Sequence, residues 1–328
     1  MNPIFNVNEN ILRFSINYPE LRVERPNIYL IKNKNGYLMV DCGGYNVEND
    51  YAILYKTLHA TGIKPSEIKT IILTHTHKDH ALLCGRLQKG SGATIILGRD
   101  DLFRISSEIG QYRDRYRDVK DYLLFWGFDS EMISRFYRSF ERQYFDAQLD
   151  TSNILLIDKD IEYDSFDILC TPGHTAGSIC LFDRESKVLL SGDTLLKKIV
   201  TVPIIEYYRG MKDGLSLLSE HTRTLKRLKS LRYETLCSGH GEPIKKDIPL
   251  IDTIFSYIER RKKRVLSLIR EGKNTVYKLA LSLYSGDVFY DVVYKEAPVV
   301  YVSDLMMPLE ALYEDNEISV KDGVIKAL

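Results

Sequence analysis

Apolar residues in the first hundred positions fall into short runs broken by polar, glycine-bearing stretches, with one segment of helical periodicity among them. IYLIKN (28–33) and GYLMVDCG (36–43) predict two strands joined through Asn35-Gly36, a strong hairpin signal. Apolar spacing over 48–60 predicts a helix that stops before Gly62. KTIILTH (69–75) predicts a strand running straight into a polar, histidine-rich loop, and GATIILG (92–98) another strand. Between 100 and 150 the pattern changes. Large aromatics recur at helical intervals among arginines and acids, with no proline, which predicts an inserted block of about three helices. Strands return at FDILCTPGH (166–174), SICLFD (178–183), KVLLSGD (187–193) and YETLCSGH (233–240), with an amphipathic helix over 211–230.

Beyond His240 the repeat is helical at 251–271, at 274–284 and around Val302–Tyr313, and the chain closes on NEISVKDGVIKAL, a hairpin turning at Asp322-Gly323. Three helices followed by a small β-wing predict a winged-helix-like module of about 80 residues. That places a boundary near Pro243–Pro249 and divides the chain into 1–247 and 248–328. A length of 328 residues agrees, at about 150 residues per domain.

Composition narrows the class. A hydrophobic share of 44% and a charged share of 27% are those of a globular protein with a sizeable core. Basic and acidic residues both number 45, so the formal net charge is zero and the footprint of a general polyanion binder is missing. The N-terminal stretch lacks a basic start followed by an apolar run, and no apolar stretch approaches the roughly 18 residues of a membrane span, so a cytoplasmic protein is expected. Cys42, Cys84, Cys170, Cys180 and Cys237 are scattered without a CxxC, which suits reduced thiols.

The candidate chemistry lies in the histidines. Seven occur in the chain, and three of them (His75, His77 and His80) share the string HTHKDH with Asp79. Such clustering is the sequence sign of a metal site. A His-x-His pair just past a strand end directs two imidazoles toward one point, while Asp79 and His80, from the next turn of backbone, can face a second. His174 in TPGHTAGS, Asp193 in SGDTL, His240 in SGHGEP and Asp41 in VDCGG each follow a predicted strand. Imidazole with carboxylate suits zinc first, with iron or manganese as alternatives.

In this order, VDCGG, THTHKDH, TPGHTAGS, SGDTL and SGHG resemble the metallo-β-lactamase-fold hydrolase superfamily over roughly residues 10–247. The resemblance implies an αββα sandwich of four layers, an α/β (α+β) fold with the metals at one edge between two sheets. It implies His75, His77 and His174 on a first metal, Asp79, His80 and His240 on a second, and Asp193 bridging them. Asp41 resembles the family's acidic residue beneath the site, an orienter rather than a ligand. The C-terminal module is similar to the winged-helix-like extension of some members. One departure is visible: where members often carry two glycines after HxHxDH, this chain has Leu82 and Leu83, so the floor of the substrate pocket is expected to differ.

Two divalent ions about 3.5–4 Å apart can share a hydroxide, because coordination brings the pKa of water from about 15.7 toward 7. The expected activity is hydrolysis of a small ester, thioester or lactone, with Asp79 also carrying the proton between nucleophile and leaving group. Trp126, Tyr112, Tyr116, Phe125 and Phe136 of the insertion could line an apolar cavity under a lid, and Tyr207 and Tyr208 could orient a carbonyl. The competing reading is that these aromatics only pack the insertion's own helices. A second function class is a ribonuclease gripping phosphates through RRKKR (260–264), against which the zero net charge argues. A small-molecule substrate is expected and nucleic acid is not; the oligomeric state, a homodimer among the options, is open.

Overall fold

The computed structural model describes residues 3–16, 25–106, 117, 119–131, 133–134, 137–138, 147–205, 217–245, 249–284 and 298–328. Strands β1 (Ile4–Asn6), β2 (Ile11–Ser15), β3 (Asn27–Asn33), β4 (Gly36–Val40), β5 (Ile68–Leu73), β6 (Thr94–Gly98) and β7 (Ile154–Ile157) form one sheet in sequence order. β1 to β4 are antiparallel, and β4 to β7 are parallel. Helices α1 (Val47–Thr61), α2 (Lys78–Ala81) and α3 (Cys84–Ser91) occupy the connections, and the insertion bridges β6 and β7. The second sheet holds β8 (Ile161–Tyr163), β9 (Phe166–Cys170), β10 (Ile179–Asp183), β11 (Val188–Gly192), β12 (Thr235–Ser238) and β13 (Ile244–Lys245), in the reverse order β13 to β8. Helices α4 (Leu217–Ser230), α5 (Leu250–Arg270), α6 (Val276–Tyr284) and α7 (Pro298–Glu314) follow, then the hairpin β14 (Ile318–Lys321) and β15 (Val324–Ala327).

Alternation along the strands makes the layers, because successive side chains leave opposite faces of a sheet. Leu38 and Val40 of β4 face the second sheet, where Ile168, Leu181, Val188 and Leu190 meet them between the sheets. Met39, and Ile71 and Leu73 of β5, face the other way onto Leu54, Leu58 and Leu87 of α1 and α3. On the far side of the second sheet, Leu169, Cys180, Leu189 and Leu236 pack with Leu225 and Leu228 of α4 and with α5 to α7. The result is helix, sheet, sheet, helix, as expected.

The described part of the insertion belongs to that outer helical layer. Trp126 is 2% exposed, with its ring centroid 5.4 Å from Phe125 and 6.0 Å from Tyr313 of α7. Tyr122 donates to the buried Glu310 of α7 at 2.5 Å. Trp126, a candidate substrate contact from its position in the insertion, is packed between Phe125 and Tyr313, as helix-spaced aromatics meeting a second apolar helix are. Tyr112, Tyr116, Phe136, Tyr207 and Tyr208 lie outside the described residues. Leu82 and Leu83 are buried with α1 and α3. The basic run of α5 is largely engaged within the chain: Arg261 donates to Asp304 at 2.7 Å, Lys262 pairs with Asp315 and Glu317, and Arg264 lies 3.9 Å from Glu271.

Candidate metal centre

The C-terminal ends of β4, β5, β9, β11 and β12 meet at one edge of the sandwich, and each delivers a side chain there. The two sheets are stitched at this edge by backbone bonds from Ile179 N to Thr74 O at 2.8 Å and from Asn27 N to Gly239 O at 2.7 Å, while Gly239 N to Gly192 O at 2.7 Å ties the ends of β12 and β11 within the second sheet. Strand geometry ends before the ligands begin, so the loops can converge. Gly239 is needed for that convergence, since a Cβ there would come within 2.2 Å of Asp193 Oδ1.

Three groups of ligand atoms, each closed within 4.8 Å, result: His75, His77 and His174; His75, His80 and Asp193; and Asp79, His80 and His240. All seven sequence-predicted ligands fall in them. His77 Nδ1 and His174 Nε2 lie 3.1 Å apart, and His80 Nε2 and His240 Nε2 lie 3.2 Å apart. Asp193 links the clusters, with Oδ1 3.6 Å from His80 Nε2 and Oδ2 3.5 Å from His240 Nε2 and 3.9 Å from His174 Nε2. Asp79 Oδ2 lies 3.5 Å from His240 Nε2.

The rings are oriented by their other nitrogens. Asp41 accepts from His80 Nδ1 at 2.8 Å, which turns Nε2 inward. Asp41 also accepts from Thr74 N and from the Thr74 hydroxyl, which in turn lies 3.1 Å from His75 Nδ1. Asp41 is outside the three groups and sits at φ 56°, a left-handed conformation that Asp tolerates better than most residues. The Val202 carbonyl faces His174 Nδ1 at 3.3 Å. The His240 turn is clamped from β2 and β3: Asn27 Nδ2 donates to Ser238 O and Gly241 O, Tyr29 donates to Ser238 O, and Arg13 donates to Gly241 O.

Electrostatics divides the site. Burial, reinforced by neighbouring imidazoles, lowers His75 and brings His174 down to about 3, so both are neutral and able to ligate. At the other end burial also disfavours imidazolium, but the Asp193 and Asp79 carboxylates outweigh it, bringing His80 to about 9 and His240 to about 11. A largely buried pocket holding two carboxylates therefore demands positive charge. His75 Nε2 and Asp193 Oδ1 are buried with no hydrogen-bond partner, a costly state for polar atoms that a cation would relieve. The donor set, its orientation and these two atoms fit divalent metal.

Sequence reasoning missed Asp101, which sits in the turn after β6 and is fully buried. It accepts from Thr76 N at 3.2 Å, from Gly177 N at 2.7 Å and from the Thr175 hydroxyl at 2.7 Å, so one carboxylate ties the His77 loop to the His174 loop. No local motif marks it; a lone acid after a strand is an ordinary turn residue. Tyr45 was also missed: its hydroxyl donates to Asp79 Oδ2 at 3.3 Å. His221 is fully buried in α4 and outside the ligand groups.

The sequence profile of the metallo-beta-lactamase superfamily matches residues 21–240, and the chain belongs to that superfamily. It is similar to the probable metallo-hydrolase YqjP of Bacillus subtilis (strain 168), with 26% identity over 296 residues and 89% of each chain covered. It is also similar to the Homo sapiens acyl-coenzyme A thioesterase MBLAC2, with 25% identity over 178 residues, 52% of this chain and 58% of that one. Among solved structures, the metallo-beta-lactamase family protein TTHA1429 from Thermus thermophilus matches in fold with a TM-score of 0.73 at 21% identity, covering 98% of this chain and 100% of that one. The chain is a hydrolase of this superfamily, and its fold implies divalent metal ions and a small-molecule substrate. No helix among the described residues is long and apolar enough to cross a membrane.

Proposed function

We propose that the chain is a binuclear hydrolase of small acyl substrates, thioesters first and esters or lactones after them, with zinc as its metal. The observation that supports this most is the overlap of three ligand groups through the middle one, His75, His80 and Asp193, an arrangement that would suit two adjoining ions. His75, His77 and His174 would hold the first ion, and Asp79, His80 and His240 the second, with Asp193 shared. When bound, the ions supply Lewis acidity, polarising the oxygen under attack and acidifying water. Asp79 would hold and pass the proton, a role supported by its Oδ2 lying 3.3 Å from the Tyr45 hydroxyl and 3.5 Å from His240 Nε2. Asp41 and Thr74 keep the histidine rings in register, and Asp101 keeps two loops together. The preference for thioesters rests on the similarity to the human acyl-coenzyme A thioesterase over about half of this chain.

The ribonuclease reading is weakened by the pairing of Arg261 with Asp304 and of Lys262 with Asp315 and Glu317, which engages part of the basic run within the chain. Residues 248–328 are read as a winged-helix-like extension whose helices wall the catalytic half. The test is elemental analysis of chelator-free protein together with turnover of thioesters, lactones, phosphodiesters and single-stranded RNA. Close to two ions per chain and hydrolysis of a thioester are expected, with Asp193→Ala depleting both ions. A single tightly held iron, or salt-sensitive RNA cleavage lost on His75→Ala, would overturn the reading.

A further inference from the structure

The loop between β4 and α1 does more than lead into Asp41. After Cys42 the chain turns over the HTHKDH segment: Cys42 N and Gly43 N both donate to the His80 carbonyl, at 2.8 and 3.3 Å. Gly44 follows at φ 127°, where a Cβ would stand 2.7 Å from Leu82 Cβ, so the loop lies directly on the leucine that replaces the family's glycine. The next two backbone amides, of Tyr45 and Asn46, donate to Asp50 Oδ2 at 2.6 and 2.7 Å, and Asp50 is fully buried in the first turn of α1. Backbone contacts on both sides thus fix where Tyr45 projects, which is the condition for a side chain that orients a substrate.

It projects to the open side of the metal centre. Side-chain exposure within the second ligand group is 0% for His80, 14% for His240 and 20% for Asp79, so solvent reaches this group beside Asp79. Tyr45 stands there, 37% exposed, with its hydroxyl on Asp79 Oδ2. A molecule approaching Asp79 from solvent meets a phenol hydroxyl and an aromatic face.

We infer that Tyr45 is a substrate-positioning residue: on binding, its hydroxyl exchanges Asp79 for the carbonyl oxygen of the acyl substrate, while the ring packs against the acyl portion. The exchange also releases the Asp79 oxygen that the proposed hydrolysis uses for its proton. No bond is made or broken by Tyr45 itself. The assignment rests on the acyl-hydrolase reading above.

The test uses the full-length, zinc-loaded protein. Wild type, Tyr45→Phe and Tyr45→Leu are compared in metal content, in steady-state hydrolysis of acetyl- and decanoyl-coenzyme A, and in calorimetric binding of the ketone analogue in which a methylene replaces the thioester sulfur. Zinc content is expected to be equal in all three. Tyr45→Phe should lose about 10- to 100-fold in kcat and bind the ketone about 10-fold more weakly, the loss of one donor to a carbonyl. Tyr45→Leu should also raise KM for the longer chain. Unchanged kcat and ketone affinity in Tyr45→Phe would overturn the assignment, as would loss of zinc, which would show that Tyr45 acts only through Asp79. If wild-type enzyme hydrolyses neither thioester and does not bind the ketone, the thioesterase reading itself fails, and the assignment falls with it.

Discussion

Asp101 shows what a single buried carboxylate contributes when the neighbouring loops have no regular structure of their own. Thr76 N, Gly177 N and the Thr175 hydroxyl all end on it, and none has another acceptor in a strand ladder. Asp101→Ala leaves the two amides without an acceptor in a buried interior, where each unmet donor costs about 1–3 kcal/mol, while the Thr175 hydroxyl keeps Ser178 Oγ at 2.7 Å. We expect urea unfolding to show a loss of roughly 2–4 kcal/mol, and chelator competition to show weaker metal binding at the His77 and His174 end. Unaltered stability and metal affinity would mean that the two loops hold themselves. At this scale the HxHxDH string was readable because several ligands of one site lie within six residues. Asp101 and Tyr45 were not readable, because each reaches its partners only across the fold.

Among the elements, strands β3 to β6 and β9 to β12 and helices α1, α5, α6 and α7 follow the apolar patterns with shifts of a few residues at their ends. The hairpin of β3 and β4 pairs Asn33 with Gly36, so Lys34 and Asn35 form its turn and Gly36 begins the next strand. The histidine-rich loop contains the short helix α2, with His77 at its N-cap, and this turn separates Asp79 and His80 from the HxH pair. β1, β2, β7, β8 and β13 were not predicted; three of them are only two or three residues long and owe their definition to pairing. The insertion is where pattern and role part. Its aromatics read equally well as pocket or core, and for Trp126 packing against α7 decides. Trp126→Ala should cost about 3–5 kcal/mol in denaturant unfolding. KM and metal content should stay those of wild type under folding conditions. A stable Trp126→Ala protein with a raised KM would return this side chain to the pocket.

At the scale of the molecule, metal and fold are one thermodynamic system. The ligands come from the ends of four strands in two sheets, so the cluster exists only when the sandwich is closed. Any ion that binds the folded chain alone stabilises it, by about 2.7 kcal/mol for one site at a free concentration of 100 Kd. Removing metal with a chelator should therefore lower Tm, and returning zinc should restore it. In Asp193→Ala the zinc-dependent rise should be much smaller, because that side chain faces both clusters. Equal melting curves with and without chelator would show that the cluster binds no ion of consequence.

What the sequence determined by itself was the local and repeated part: strand and helix periods, the hairpin turns, and ligand-type residues placed just after strands. Those features depend on neighbours in the chain, so period and motif record them. Tertiary structure alone decided the rest. His75 Nε2 and Asp193 Oδ1 became orphaned acceptors because two sheets closed over them, and His80 and His240 rose because folding placed two carboxylates beside them in a largely buried pocket. Arg261 and Lys262, which read as a free basic face, found Asp304 and Glu317 from segments more than forty residues away. Charge and hydrogen-bond balance are sums over spatial neighbours, and for these residues the neighbours are distant in the chain.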